Sequence, residues 1–352
     1  MGIKQLNQLL KNQCPQIFRE TSLHEFAYQK MSIDVSLFMC KFKSISENWL
    51  SSFLNLITCL RKHNIHCVFI FDNGHPPEKM QEKEDRVQSR EKNKARIDGL
   101  ESSLLKYEET DIFDNNLQEI FNKQEGGVNA ITVKEQKVRL LRNIIDKKKK
   151  AIFTITSDDW LNLRKLFDVM HVVYYDAPLE AETMCADLCK RGLVSAALSE
   201  DTDVLAYGST IFLTKIDIYR GTAVKIEFAE VLNALKLTQE QFLDLCIMCG
   251  TDYNKNIPKV GCETAYKFIL QFGTIEEVGK QKNLDISILK HEKSRELFTK
   301  YEMYDFSTET IPYNGTPDYE KLHELLCSLD LQKTMSIEQI EKSYKPNITF
   351  VV

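Results

Sequence analysis

Short apolar runs that end in acidic residues recur along the chain. They are Lys30–Ile33 followed by Asp34, His66–Phe71 followed by Asp72, and Leu193–Ser199 followed by Glu200–Asp203. Runs of this length are typical of buried β-strands. Segments with helical periodicity lie between them, including Trp49–Lys62 and Ala181–Arg191. This alternation predicts an α/β fold with a twisted, mostly parallel central sheet flanked by helices.

Residues 73–175 differ from the rest of the chain in their charge pattern. Lys79–Arg96 carries seven basic and four acidic residues, and Lys134–Lys150 carries eight basic and two acidic ones. The stretch 97–133 between them carries eight acidic residues and two lysines, and it contains the pair Gly126-Gly127. Charge runs alone most often mark a solvated surface. We interpret this part as two charged helices joined by a mobile middle.

Length, composition and charge limit the kinds of protein that this chain can be. With 352 residues, 43% of them hydrophobic, the chain is long enough for one large α/β domain or two smaller ones. The net charge of −5 excludes a global basic footprint for nucleic acid, although such a sum can conceal local basic patches. We expect no membrane segment, because no apolar run reaches the roughly 18 residues that a spanning helix needs. We expect no secretory segment either.

The ten cysteines lie mostly in apolar runs, which is typical of reduced core residues in an intracellular protein. Cys246 and Cys249 have the spacing of a metal or redox motif. No second pair and no histidine follows them at zinc spacing, and both lie in a continuous apolar helix pattern. We therefore interpret this pair as core residues.

Seven acidic residues are candidates for a metal site at the carboxyl ends of the strands, where open α/β sheets bind ligands. Taken singly, each is more often a helix cap or a turn residue. Gathered at one sheet edge, they would need cations to offset their charge. Oxygen ligands without His or Cys favour Mg²⁺ or Mn²⁺, and a pair of such ions about 4 Å apart serves phosphodiester chemistry. The seven are Asp34, Asp72, Glu180, Glu182, Asp201, Asp203 and Asp252.

At these residues the chain resembles the flap endonuclease family of XPG-type, structure-specific 5′ nucleases. The resemblance spans nearly the whole chain. It rests on Met1–Ile3, Ile33–Ser36, Val68–Asp72 with Pro76-Pro77, Asp176–Glu182, Ser199–Asp203, Phe242–Cys246, Gly250–Tyr253 and Ile257–Gly261. It implies a PIN-like nuclease core with a helical arch insertion and a helix–two-turn–helix that binds DNA.

The resemblance also implies four regions. An N-terminal nuclease region covers 1–106, and a partly flexible arch covers 107–150. An internal nuclease region with the helix–two-turn–helix covers 151–280. A C-terminal helical region at 281–352 is expected to pack back on the core.

Residue roles follow from the same resemblance. The carboxylates implied mainly for the first metal ion are Asp34, Asp72, Glu180 and Glu182, and those mainly for the second are Asp201, Asp203 and Asp252. Lys79 and Arg86, about two helical turns apart, are implied to bind the scissile phosphate and to act with Asp34 and Asp201 in catalysis. The further implied DNA contacts are Arg90, Lys259, Gly261 and Lys267. The implied cofactors are two Mg²⁺ ions per subunit, which Mn²⁺ can replace, and a K⁺ ion at the helix–two-turn–helix.

The implied activity is that of a 5′ flap endonuclease and 5′→3′ exonuclease, a hydrolase of DNA phosphodiesters in replication, repair or recombination. Three alternatives stay open. They are a relative that prefers Holliday junctions or bubbles, a non-catalytic DNA-binding scaffold, and a metal-dependent phosphohydrolase of another α/β fold. The Lys-, Asn- and Ile-rich composition favours an A+T-rich genome, such as that of a large DNA virus. We expect the nucleus, or a cytoplasmic replication site for a viral member.

The chain departs from the family pattern at several positions. Cys40 stands where the family has an aromatic residue that stacks on the unpaired nucleotide, and Phe38 and Phe42 are the candidates to replace it. Lys259 stands where glycine is usual, and Glu263-Thr264 where basic residues are usual, which predicts a weaker grip on duplex DNA. The chain contains no sliding-clamp motif. We therefore do not expect binding to a sliding clamp. We expect a monomer that acts on branched or flapped DNA.

Overall fold

The computed structural model describes residues 2–123, 133–307, 309–331 and 336–344. The chain forms two compact units. The first unit comprises Met1–Met39, Leu50–Lys79 and Ser157–Val352, and the second comprises Cys40–Trp49 and Met80–Thr156. In the described part of the chain, no helix combines the length and the apolar character needed to cross a membrane. The predicted break at Gly126-Gly127 lies outside the described residues.

The first unit contains a seven-stranded mixed sheet. Its strands are β1 (Arg19–Ser22), β2 (Lys30–Asp34), β3 (His66–Phe71), β4 (Val173–Asp176), β5 (Ala196–Leu198), β6 (Ile211–Asp217) and β7 (Thr222–Glu227). Their spatial order is β1-β7-β6-β5-β2-β3-β4. The five strands from β6 to β4 pair in parallel, and β7 and β1 add an antiparallel edge. The predicted α/β class with a mostly parallel sheet is confirmed.

One predicted strand is shorter than expected. The apolar run Leu193–Ser199 predicted a strand, but only Ala196–Leu198 is extended. The amides of Leu193 and Val194 both donate to the carbonyl of Leu188 in the preceding helix. These residues therefore complete the end of that helix, with Gly192 in the left-handed conformation (φ 71°), before the strand starts.

Helices pack against the sheet, and the central strands are buried on both faces, as a parallel sheet requires. The helices that lie wholly or partly in the first unit are α1 (Leu6–Gln13), α2 (Val35–Ile45), α3 (Trp49–Lys62), α7 (Ser157–Val169), α8 (Ala181–Lys190), α9 (Asp203–Ala206), α10 (Phe228–Leu235), α11 (Gln239–Cys249), α12 (Cys262–Phe272), α13 (Ile275–Lys282), α14 (His291–Thr299), α15 (Tyr319–Ser328) and α16 (Ile337–Tyr344). Cys246 and Cys249 are free, buried thiols in α11, so the interpretation of this pair as core residues is confirmed.

Strand register determines where the acidic residues lie. In the β2–β3 pair Asp34 is opposite Ile70, and in the β2–β5 pair Ile33 is opposite Leu198. Parallel neighbouring strands end at the same edge of a sheet, so the residues that follow β2, β3 and β5 emerge there together. The fold therefore positions three of the predicted acidic segments side by side.

The second unit is a small helical body with its own core. Its further helices are α4 (Met80–Thr110), α5 (Asn115–Asn122) and α6 (Lys134–Lys150). The buried hydrophobic side chains that form this core are Ile97, Leu100, Leu104, Tyr107, Leu117, Ile120, Phe121, Leu141 and Ile145. Asp114 caps α5 by accepting from the amide of Leu117 at 3.0 Å.

This unit differs from the expectation of a mobile middle. Within residues 97–123 the apolar positions Ile97, Leu100 and Leu104 recur at helical spacing and are buried, which the dominant acidic charge of the segment concealed. In the longer segment of this unit, α4 continues without interruption from Met80 to Thr110. The four regions implied by the resemblance stay a prediction. The expectation of a flexible segment stays a prediction for residues 124–132.

Truncation of Leu141 tests whether the second unit has a core of its own. Leu141 has no exposed surface, so Leu141→Ala is expected to destabilise this unit by about 2–5 kcal/mol. Hydrogen exchange should accelerate in α4, α5 and α6 and stay slow in β2 and β3. Val87→Ala, at a position 52% exposed on α4, should leave both regions protected. Equal loss of protection in the sheet would contradict a separate core.

Candidate metal centre

The first two acidic residues end neighbouring strands. Asp34 is the last residue of β2 and is 6% exposed, and its Oδ1 accepts from the amide of Leu37 at 3.1 Å. Asp72 follows β3, and its Oδ1 accepts from the amide of Ala181 at 2.7 Å. The Asp72 carboxylate thus connects the end of β3 to the start of α8.

Four of the remaining acidic residues begin helices or follow them, and Asp201 lies in the connection between β5 and α9. Glu180 is the N-cap of α8, and Glu182 lies in its first turn, where the helix dipole favours negative charge. Asp203 begins α9, and its amide donates to Asp201 Oδ1 at 2.9 Å. Asp252 follows α11 after a turn through Gly250 with φ 97°.

Lys79 lies among these carboxylates. Its Nζ is 2.5 Å from Glu180 Oε1, 3.3 Å from Glu182 Oε1 and 3.0 Å from Asp252 Oδ2. The residue is only 7% exposed. A single ammonium group therefore contacts acids that were assigned to both expected metal positions.

A second group of carboxylates lies beside these contacts. Glu182, Asp201 and Asp203 offer carboxylate oxygens within 4.8 Å of one another. Asp34 interacts electrostatically with Asp72 and Asp201. The structure thus brings all seven predicted acidic residues into one connected cluster at the carboxyl edge of the sheet.

Burial dominates the electrostatics of the cluster. Burial, together with the neighbouring charges of Asp72 and Asp201, raises the pKa of Asp34 to about 8. Burial likewise raises the pKa values of Glu182 and Asp203 well above their ordinary range. For Lys79, burial opposes the charged form, but Glu182, Glu180 and Asp252 outweigh it and raise the pKa. The negative charges are thus poorly compensated by the protein alone.

The donor atoms fit a divalent cation. Both carboxylate oxygens of Asp203 and the hydroxyl of Thr202 are buried and have no hydrogen-bond partner among the described residues. Buried polar atoms are nearly always satisfied, so oxygens in this situation are suited to coordinating a cation. All the clustered side-chain donors are oxygens, which suits Mg²⁺ or Mn²⁺.

Gly2 is a site residue that sequence reasoning did not single out. Its φ is 83°, and a Cβ there would lie 2.1 Å from Asp201 Oδ1 and 2.8 Å from Asp203 Oδ1. Only glycine combines this backbone conformation with such a close approach. The sequence did contain a signal for Gly2. It lies in the Met1–Ile3 motif, which supported the family resemblance but was not interpreted as part of the site.

Tyr253 and Tyr207 are further residues that were missed. The hydroxyl of Tyr253 donates to Glu180 Oε2 at 2.7 Å and lies 2.5 Å from the hydroxyl of Tyr207. Both tyrosines are buried. Since a buried tyrosine hydroxyl usually has a partner, the position of Tyr253 directly after Asp252 was a usable signal.

The residues expected to form the helix–two-turn–helix lie in the connection from α11 to α12 and in α12 itself. Lys259 is exposed and adopts the left-handed conformation with φ 65°, which accounts for the glycine usual at this position. Gly261 is the N-cap of α12 and has an ordinary φ of −87°. Glu263 in the first turn is held by amides of Asn12 and Gln13 at 3.1 and 3.0 Å. Lys267 is exposed on α12.

The other predicted contacts belong to the second unit. Arg86 contacts Glu82 one turn earlier on α4, and Arg90 is exposed one turn later. Of the two candidates to replace the aromatic at Cys40, Phe38 is 1% exposed in the first unit and has no free face for stacking. Phe42 is partly exposed in the second unit, so it stays a candidate.

The mixed sheet, its helical insertion and the acidic cluster define a PIN-like α/β nuclease core. The XPG N-terminal domain matches residues 1–93, and the XPG I-region matches residues 171–252. The probable RAD2-like endonuclease 076L of Invertebrate iridescent virus 3 is 36% identical over 329 residues, covering 85% of each chain. The flap endonuclease 1 of Lodderomyces elongisporus is 30% identical, covering 86% of this chain and 76% of the relative.

A solved structure shows the same fold. The catalytic core of Rad2 in complex with DNA substrate superposes with a TM-score of 0.66 at 17% identity, covering 97% of this chain and 98% of that one. The chain belongs to the XPG-type family of flap endonucleases and RAD2-like endonucleases. The resemblance inferred from the sequence motifs is thereby confirmed.

Replacing Asp34 tests the electrostatic cost of the cluster in metal-free protein. The folded protein holds a proton on Asp34 up to about pH 8, whereas the unfolded chain releases it near the ordinary value of 3.8. The contribution of this carboxyl group to stability therefore falls as the pH rises between these values. In EDTA, Asp34→Asn should lose less thermal stability than the wild type between pH 4 and pH 8.

The exposed Asp158→Asn serves as the control for the Asp34 measurement and should follow the wild type. Parallel stability curves for the wild type and Asp34→Asn would contradict the proposed cost of burying this carboxylate.

Replacing Tyr253 tests whether it orients Glu180. Tyr253→Phe removes the hydrogen bond to Glu180 Oε2 and should weaken Mg²⁺ binding about 10- to 100-fold while the fold persists. Isothermal calorimetry measures the affinity, and circular dichroism checks the fold. Tyr219→Phe, at a position 94% exposed, should bind Mg²⁺ as the wild type does. Unchanged affinity in Tyr253→Phe would limit this tyrosine to a packing role.

Proposed function

We propose that the chain is a structure-specific 5′ flap endonuclease and 5′→3′ exonuclease that hydrolyses DNA phosphodiesters with two divalent metal ions. The observation that carries the proposal is the cluster of buried carboxylates in a chain of this family, with two unsatisfied oxygens on Asp203. A cluster of this kind costs folding free energy unless cations occupy it. Retaining it therefore favours a catalytic role over a scaffold.

The proposed ligands follow the clustering of the side chains. The first Mg²⁺ would be held mainly by Asp34, Asp72, Glu180 and Glu182, and the second mainly by Asp201, Asp203 and Asp252. Mn²⁺ has the same ligand preference. When bound, such a pair lowers the pKa of a coordinated water and offsets charge on the phosphodiester.

Residues of the chain itself supply orientation and charge. Tyr253 fixes Glu180 through its hydroxyl, and Gly2 leaves room for the carboxylates of Asp201 and Asp203 beside its backbone. Lys79 and Arg86 are proposed to bind the scissile phosphate and to stabilise the charge that develops on it. The burial of the carboxylates keeps water away from them, which strengthens each of these interactions.

Duplex binding is proposed to use the start of α12. Gly261 provides no side-chain cap, so the first-turn amides of this helix can donate to a phosphate. Lys259 and Lys267 are exposed cations on the same segment, and Arg90 is a further proposed contact on α4. A K⁺ ion at this turn belongs to the proposal as well. The anchored carboxylate of Glu263 weakens the attraction for phosphate.

The proposed partner is branched or flapped DNA, bound by a monomer without a sliding clamp or a membrane. Replication, repair or recombination in the nucleus fits this activity, as does a cytoplasmic replication site for a viral member. The similarity to an endonuclease of an iridescent virus supports the viral interpretation. In the described residues, no observation favours a preference for Holliday junctions or bubbles over flaps.

A substrate panel tests the proposed activity. With Mg²⁺, 5′-labelled flap DNA should be cut near the junction in preference to nicked duplex, a bubble, a four-way junction or single-stranded RNA. EDTA should abolish cutting. Asp201→Asn should lower the rate at least about 100-fold with little change in DNA binding, because it removes a charged ligand. Asp158→Asn should cut at the wild-type rate.

Two outcomes would overturn the assignment. Wild-type cutting by Asp201→Asn would contradict the role of this carboxylate in metal binding. Faster cutting of the four-way junction than of the flap would favour the junction-preferring alternative instead.

A further inference from the structure

The position of Lys79 is more restricted than a phosphate-binding role requires. Lys79 ends the short 3₁₀ helix Pro77–Lys79, and its amide donates to the carbonyl of Pro76 at 3.1 Å. Two consecutive prolines fix the backbone before it. The side chain then extends inward, and its ammonium lies within 3.3 Å of three carboxylates.

The ammonium engages oxygens that metal ions would need. Glu180 has no unengaged oxygen, because Oε1 contacts Lys79 and Oε2 accepts from Tyr253. One oxygen each of Glu182 and Asp252 is also engaged by Lys79. Glu182 further belongs to the group of oxygens, shared with Asp201 and Asp203, that is close enough to hold a cation. The ammonium and a divalent ion thus depend on the same ligands.

Charge makes simultaneous occupancy unfavourable. A divalent cation bound through Glu180 and Glu182 would lie a few ångströms from the ammonium, and like charges repel strongly at such distances when they are buried. Lysine has a flexible four-carbon stem, so the ammonium can leave while the backbone at Pro77–Lys79 stays in place. Exchange of one cation for the other needs only a change of side-chain rotamer.

We propose that Lys79 is a built-in counter-cation that occupies the carboxylate cluster in the metal-free protein and is displaced from it by divalent metal. This inference rests on the proposed function, since it concerns the same cluster. The displacement couples metal binding to the availability of Lys79 for the phosphate. Without metal the ammonium is held inside the cluster and cannot reach a phosphate. Metal binding releases it, so the group that binds the scissile phosphate becomes available only when the site is loaded.

Chemical labelling of lysines in the wild-type protein tests the displacement directly. An amine-reactive ester followed by peptide mass spectrometry should label Lys79 at least tenfold more slowly in EDTA than in saturating Mg²⁺. Lys83, exposed on α4, should label equally in both conditions. Equal labelling of Lys79 with and without Mg²⁺ would overturn the proposal. This readout needs no variant and no DNA.

Metal affinity provides the second test. Lys79→Met removes the competing cation and should bind Mg²⁺ at least tenfold more tightly by calorimetry. Lys83→Met removes the same charge from an exposed position and should bind as the wild type does. Affinity in Lys79→Met that is equal to or weaker than wild type would contradict competition.

The two proposals can fail separately. Cleavage of flap DNA by the wild type with Mg²⁺, together with Lys79 labelling that ignores Mg²⁺, would retain the nuclease function and reject the displacement. Mg²⁺-dependent labelling of Lys79 without any cleavage of DNA would retain the displacement and reject the nuclease function. If Lys79→Met does not fold, the wild-type labelling experiment decides the question by itself.

Discussion

The concentration of negative charge at the carboxyl edge of the sheet is the constraint on which the rest of the first unit depends. Five of the seven clustered carboxylates are buried, and burial raises the pKa of each one for which a shift is evident. Specific hydrogen bonds and charges reduce the free-energy cost of burying these carboxylates. The amides of Leu37, Ala181 and Asp203 donate to carboxylates, and the start of α8 lies beside two of them. Lys79 adds a positive charge in direct contact with Glu180, Glu182 and Asp252.

These hydrogen bonds and the charge of Lys79 do not compensate all the buried negative charge, and the uncompensated part favours a cation site. Asp203 has two buried oxygens without a hydrogen-bond partner in the described part of the chain, which a protein stabilised for folding alone would avoid. The positive φ angles of Gly2 and Gly250 serve the same cluster. The amide of Lys4 donates to the Gly250 carbonyl at 3.1 Å and ties both segments together. These features fit the cluster to the cation site that is proposed for it.

Much of this arrangement could be predicted from the sequence. Apolar runs ending in Asp34 and Asp72 predicted both the parallel strands and the edge at which their acids meet, because strand ends are local features. The partners of Lys79 could not be predicted, since Glu180 lies 101 positions away and the contact depends on rotamers. The core of the second unit was missed because acidic charge in residues 97–123 outweighed a sparse helical repeat of apolar residues. Lys259 was noted as unusual, but only the backbone shows that it occupies a left-handed position, at a cost of roughly 1 kcal/mol.

The central claim is that this cluster is a site for two divalent cations, and electron paramagnetic resonance of bound Mn²⁺ tests it most directly. Titration of the metal-free protein should show two Mn²⁺ bound per chain, with a spectrum broadened by coupling between ions about 4 Å apart. The variant Asp203→Asn should lose at least one ion and the broadening. Binding of fewer than two Mn²⁺ per chain, or an unchanged spectrum in Asp203→Asn, would contradict the account.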